Sequence, residues 1–166
     1  GAPADRFGRK PMLLMVAIAY VVSSLGTGLA PSWATLLAFR FLGGLAIGAA
    51  SVVTPIYIAE VAPAEYRGRL VALNQLNIVL GIVLAFLSNY VIATLFEPFV
   101  AWRWMFGIVT VPSLLFLIVT ILLPDSPRWL VGHGQDTVAR DVMTRLGFAA
   151  PDREIERIKA AAARTP

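Results

Sequence analysis

Residues 70–96, LVALNQLNIVLGIVLAFLSNYVIATLF, contain no charged side chain. A bilayer core of about 30 Å needs roughly 20 helical residues at about 1.5 Å each, so this stretch is long enough to cross one. Three further stretches behave alike. Met12 to Ala30 ends at Pro31-Ser32, and Trp33 to Ala59 is interrupted only by Arg40. Trp104 to Leu123 ends at Pro124-Asp125-Ser126-Pro127, where paired prolines stop a helix. Composition agrees: of 166 residues, 58% are apolar and 14% charged, with a mean hydropathy of +0.75. A soluble domain of this size has too little interior for that balance, so lipid is the second solvent. The chain has no cysteine, which excludes a disulfide framework, a thiolate metal site and a thiol nucleophile. The fold class expected is all-α, a polytopic membrane helical bundle.

The 14 Lys and Arg outnumber 10 Asp and Glu, a balance that taken alone would suit nucleic acid or acidic lipid. Their distribution says otherwise. With spans alternating in direction, twelve of the fourteen fall on one side: Arg6, Arg9 and Lys10, then Arg67 and Arg69, then Arg128, Arg140, Arg145, Arg153, Arg157, Lys159 and Arg164. Arg103 alone falls opposite, and Arg40 lies within a span. By the positive-inside rule both ends are cytoplasmic, the excess is topological, and no nucleic-acid partner is implied. Residues 1–11 then form a cytoplasmic loop, 12–123 four transmembrane helices, and 124–166 cytoplasmic amphipathic helices. In that last segment Val138, Val142 and Leu146 recur at helical spacing before Gly147, and Ile155, Ile158 and Ala162 form the apolar side of a second helix. Trp33, Trp102, Trp104 and Trp129 sit at span ends, where indoles favour the interface. The apolar pattern begins abruptly at Met12 with no signal peptide before it, so a piece of a longer polytopic protein is expected.

Arg40 is the most informative single residue. A guanidinium inside a span costs at least about 2.5 kcal/mol and demands a partner. None of the four spans holds an acid, so its partner is expected on a helix outside this chain, in an ion or solute pathway or a structural bridge. Gly44, Gly48, Ser51 and Pro55 continue from it at three- or four-residue steps, a face small enough for close helix packing. The third span carries Asn74, Gln75 and Asn77. A carboxamide donates and accepts at once and suits a polyhydroxylated solute; on chemistry alone Gln75 serves either that or interhelical hydrogen bonding, and Asn74 and Asn77 the latter. Charges of both signs cluster in the cytoplasmic connections: Asp5, Arg6, Arg9 and Lys10; Glu60, Glu65, Arg67 and Arg69; Asp125 and Arg128. They lie at one membrane face and can form a network whose opening biases conformation.

These clusters resemble the signature of sugar porters in the major facilitator superfamily. Gly1-Ala2-Pro3-Ala4-Asp5-Arg6-Phe7-Gly8-Arg9-Lys10 is similar to the superfamily's loop between its second and third helices. Arg40-Phe41-Leu42-Gly43-Gly44, Pro55-Ile56-Tyr57-Ile58-Ala59-Glu60 and Pro63-Ala64-Glu65-Tyr66-Arg67-Gly68 resemble the sugar-porter pattern of the fourth helix and its following loop. Pro124-Asp125-Ser126-Pro127-Arg128-Trp129-Leu130 resembles the motif after the sixth, with Asp125 where the family usually has Glu. The resemblance implies helices three to six of a twelve-helix transporter, with the others missing from this chain. It further implies that Arg40 is the buried arginine whose carboxylate partner in proton-coupled members lies on the first helix. Gln75 matches the fifth-helix glutamine that contacts sugar, with Ile78, Val79 and Ile82 along the neighbouring face. Arg9, Glu60, Arg67, Asp125 and Arg128, with Asp5, match the network that holds the outward-facing state.

The expected function is therefore transport of a sugar (hexose or pentose) or polyol by alternating access, with a proton as coupling ion and neither metal nor other cofactor. A non-sugar solute such as an organic ion on the same fold is the alternative, and a self-sufficient four-helix membrane protein is a more distant one. An enzyme is not expected: the sequence holds no nucleophile–base pair, metal-ligand cluster or phosphate loop, and His133 stands alone beyond the last span.

Overall fold

The computed structural model describes residues 8–63 and 65–162, and of Arg67 only the backbone. Among these residues every regular element is an α-helix. In chain order they are α1 (Arg9–Gly28), α2 (Trp33–Val61), α3 (Arg67–Leu95), α4 (Pro98–Gly107), α5 (Thr110–Leu122), α6 (Pro127–Gly132), α7 (Asp136–Arg145) and α8 (Pro151–Ala162). Four helical segments are long and apolar enough to cross a membrane: Arg9–Gly28, Trp33–Val61, Gly68–Leu95 and Pro98–Leu122, the last made of α4 and α5.

The boundaries have local causes. Ser32 caps α2, accepting from the Thr35 N–H while the Thr35 hydroxyl accepts from the Ser32 N–H. The fourth segment starts at Pro98 rather than Trp104, because proline fits the first turn, where its missing N–H is not needed. It loosens at Ile108 and Val109, since Pro112 has no N–H to offer the Ile108 carbonyl; that oxygen accepts from Val111 at 3.1 Å instead.

α1 is the centre of the bundle, packing along α2 on one side and along α4 and α5 on the other. Ser23 Oγ donates to the Phe39 carbonyl at 2.6 Å, and Ser24 and Ser113 share a hydroxyl–hydroxyl bond at 3.1 Å. At Gly28 an added methyl would lie 3.1 Å from Gly107 Cα, so α1 and α4 meet backbone to backbone. Close packing falls on Gly26 and Gly43, where a methyl would collide with Phe39 and with Ser23 respectively. Along the stripe that continues from Arg40, a methyl at Gly44 or Gly48 would meet nothing within 4 Å among the described residues. α3 stands apart, touching α2 and α4 with little of its surface.

α6, α7 and α8 fold on a small core of Leu130, Val131, Ala139, Met143 and Ile155. The buried stripe of α7 is thus centred on Ala139 and Met143; Val138 is 48% exposed, one position round from the face expected, while Ile158 packs against the core as its spacing implied. Arg140 bridges Asp152 and Lys159 bridges Asp136, stitching α7 to α8. The hydrogen bond from Lys159 to Asp136 raises the pKa of the lysine above its ordinary value.

Candidate functional site

One end of the bundle is knotted at Glu60. Arg9 Nη2 lies 3.0 Å from Glu60 Oε1 and Arg9 Nε donates to the same oxygen at 3.2 Å. Glu60 Oε2 accepts from Ser126 Oγ at 2.6 Å, and Ser126 in turn caps α6 by accepting from the Trp129 N–H. The side chains of Arg9 and Glu60 are 14% and 6% exposed, so the pair is shielded enough that losing either partner would be costly. Gly8, just before α1, has φ 89, in the left-handed region, and a methyl there would lie 3.3 Å from the Trp129 ring. Tyr57 OH donates to the Pro124 carbonyl at 2.7 Å, a second tie between α2 and the segment leading to α6.

Of the six residues expected in this network, Arg9 and Glu60 are joined. Asp125 is half-buried and Arg128 exposed, and neither makes an ion pair among the described residues. Ser126 occupies the place between them that faces Glu60, and Arg128 lines a cavity of about 500 Å³ together with Glu60, Arg153 and Arg157. Asp5 and the Arg67 side chain lie outside the described residues. Sequence reasoning missed Ser126 as a member; its signal was the Ser-Pro step that opens α6.

Midway along the bundle a cavity of about 530 Å³ lies between α1, α2, α3 and α5, lined by Gln75 and Ile78 with Tyr20, Ser51, Thr54 and Asn74 among others. Val79 and Ile82 continue the Gln75 face at helical spacing but do not line it; they are 49% and 52% exposed. Asn74 and Asn77 make no interhelical hydrogen bond among the described residues, where α3 has little contact with its neighbours. The three amides remain available to other partners.

Arg40 lies in a second cavity, of about 140 Å³, with Tyr20, Ser23, Ser24 and Thr27 of α1 and Phe106 of α4. Its guanidinium sits over the Phe106 ring, 4.8 Å from the centroid. No carboxylate bridges Arg40 among the described residues. Tyr20 and Ile47 line both cavities, so the two are neighbours along α1 and α2. The hydroxyl row of α1, at positions 20, 23, 24 and 27, was legible as helical spacing of polar residues in an apolar span, but was not singled out.

The sequence pattern of the family described as Sugar (and other) transporter matches residues 1–165. The chain is 43% identical over 170 residues to the glucose transport protein of Synechocystis, covering 96% of this chain and 36% of that one. It is 39% identical over 156 residues to the galactose-proton symporter of Escherichia coli, covering 93% and 33%. Among solved structures, the proton:xylose symporter XylE bound to 6-bromo-6-deoxy-D-glucose superposes with a TM-score of 0.89 at 30% identity, covering 96% of this chain and 38% of that one. A partially occluded, inward-open XylE from E. coli gives 0.88. The chain spans about a third of the length of these curated relatives. Motifs, helix order and superposition converge: the chain belongs to the sugar porter family of the major facilitator superfamily.

Proposed function

We propose that this chain forms part of a proton-coupled transporter of a hexose, pentose or polyol that works by alternating access. The observation carrying the reading is the cavity between α1, α2, α3 and α5, where Gln75 and Asn74 stand beside Ser51, Thr54 and Tyr20. Amides and hydroxyls both donate and accept, so they can match neighbouring sugar hydroxyls without a charge that would hold the solute too tightly. In this reading Gln75 binds solute and Ile78, Val79 and Ile82 flank its path. Arg40, inside a span without a carboxylate, is the coupling residue, and its acidic partner belongs to a helix missing from this chain. Arg9, Glu60, Arg67, Asp125, Arg128 and Asp5 form the inner gate. The membrane is the cell membrane, with both ends of the segment in the cytoplasm. The relatives support the solute class, being a glucose transport protein, a D-xylose transporter and a galactose-proton symporter.

The test is uptake of labelled glucose and xylose by the full-length protein in proteoliposomes under an imposed proton gradient. Uptake that collapses with the gradient is expected. Gln75→Ala should raise KM about tenfold, the loss of about 1.4 kcal/mol of hydrogen bonding, with expression unchanged. An unaltered KM removes Gln75 from the site; accumulation that persists without a gradient removes the coupling.

A further inference from the structure

At the end of the bundle opposite Glu60, the turn between α1 and α2 faces α4 across a groove of about 540 Å³. Pro31, Ser32, Trp33 and Leu36 form one wall, and Trp102, Arg103 and Phe106 the other. The groove is built on a fixed floor, because Gly28 and Gly107 leave no clearance between α1 and α4 just beneath it. Its lining is mostly carbon, and its polar side-chain groups are all hydrogen-bond donors: the Ser32 hydroxyl, which also accepts, the indole N–H groups of Trp33 and Trp102, and the Arg103 guanidinium. Arg103 stands over the Trp102 ring at 5.1 Å, which orients the cation while leaving it exposed. Trp33, 73% exposed, and Trp102 stand at the mouth, at a span end where indoles favour the interface. The N-terminus of the 29-residue α2 opens beside them, adding its positive dipole end to the guanidinium.

We propose that this groove binds one anionic phospholipid, with its phosphodiester on Arg103 and an acyl chain against Leu36 and Phe106. The lining selects among ligands. It has no amide or carboxylate, so a polyhydroxylated solute would leave most of its hydroxyls unpaired. A free phosphate would find the cation but leave the apolar wall in water. A zwitterionic headgroup would bring an ammonium toward Arg103 with no carboxylate in the lining to receive it. A diacyl lipid with a net negative charge satisfies both walls. The inference needs only the membrane-embedded bundle and is independent of the transported solute.

The experiment is native mass spectrometry of the full-length protein in detergent, with phosphatidylglycerol, phosphatidylethanolamine or inorganic phosphate added. One retained phosphatidylglycerol is expected, preferred about fivefold over phosphatidylethanolamine, the factor one cation contributes beside an anionic headgroup. Arg103→Gln should erase that preference, Arg103→Lys should keep it, and excess inorganic phosphate should not displace the lipid. On unmutated protein, a phosphatidylglycerol with a photoreactive acyl chain should label the segment 30–36. Equal retention of the two lipids, an unchanged preference in Arg103→Gln, or displacement by phosphate would overturn the proposal. So would labelling elsewhere, with Leu36 instead cross-linking to another segment of the protein, because a helix would then occupy the groove.

Discussion

α1 and α3 are both apolar enough to cross a bilayer, and α3 is the more apolar of the two. Yet 33% of the most apolar stretch of α1 is buried within the chain, against 6% for α3. Apolarity therefore does not rank these helices by how much they hold the structure together. Lipid is as apolar as leucine, so what sets α1 apart is fit and polar matching: its glycines touch neighbours, and its serines bond across to α2 and α5. α3 is matched to nothing comparable. Its amides lack partners among the described residues, and no ion pair joins it to another helix there. A helix in that condition suits a surface that contacts solute or further helices.

The largest expected effect is at the tether of α1. Glu60→Gln removes the carboxylate beside Arg9 and weakens the bond from Ser126, and should lower stability by about 3 kcal/mol, read as a drop in midpoint during thermal unfolding of the detergent-solubilised protein. A loss no greater than that of an exposed pair would show that the knot does not hold the bundle end. Next come the glycines. Gly26→Ala drives a methyl into the Phe39 ring and should cost about 2 kcal/mol, whereas Gly81→Ala on α3, with nothing within 4 Å, should be neutral or stabilising by about 0.5 kcal/mol through helix propensity. Equal effects would erase the contrast between the helices. The smallest effect belongs to Phe86→Ala: the ring is 75% exposed, and its removal should change the midpoint by the equivalent of about 0.5 kcal/mol or less. A large loss would locate a tight neighbour for α3 outside this chain.

Much of this contrast was hidden from the sequence. Span number and type were readable, because a run such as 70–96 has no alternative solvent but lipid. The fourth span was read from Trp104, whereas the helical segment opens about two turns earlier at Pro98 and carries Arg103 on its surface. The small face at Gly44 and Gly48 was read as a packing seam; the seam with α1 in particular falls one residue away at Gly43, a shift of about 100° round the helix that composition cannot resolve. At the site, Arg40 and Gln75 announced themselves as polar groups in apolar runs. Ser126 did not, since a serine beside a proline reads first as a helix cap and only the fold brings its hydroxyl to Glu60. Tyr20 was missed for a related reason: its ring passes for an interfacial or core residue until two cavities are seen to share it.

The close approaches at Gly26, Gly28 and Gly43 have a volumetric consequence. At those contacts themselves there is no room for a methyl and so no void for pressure to remove, although Gly43 also borders the cavity of about 140 Å³ beside Arg40. The cavity beside Gln75, about 530 Å³, is the opposite. Pressure should therefore act first on this cavity, next on the one of about 140 Å³ beside Arg40, and least at the glycine contacts.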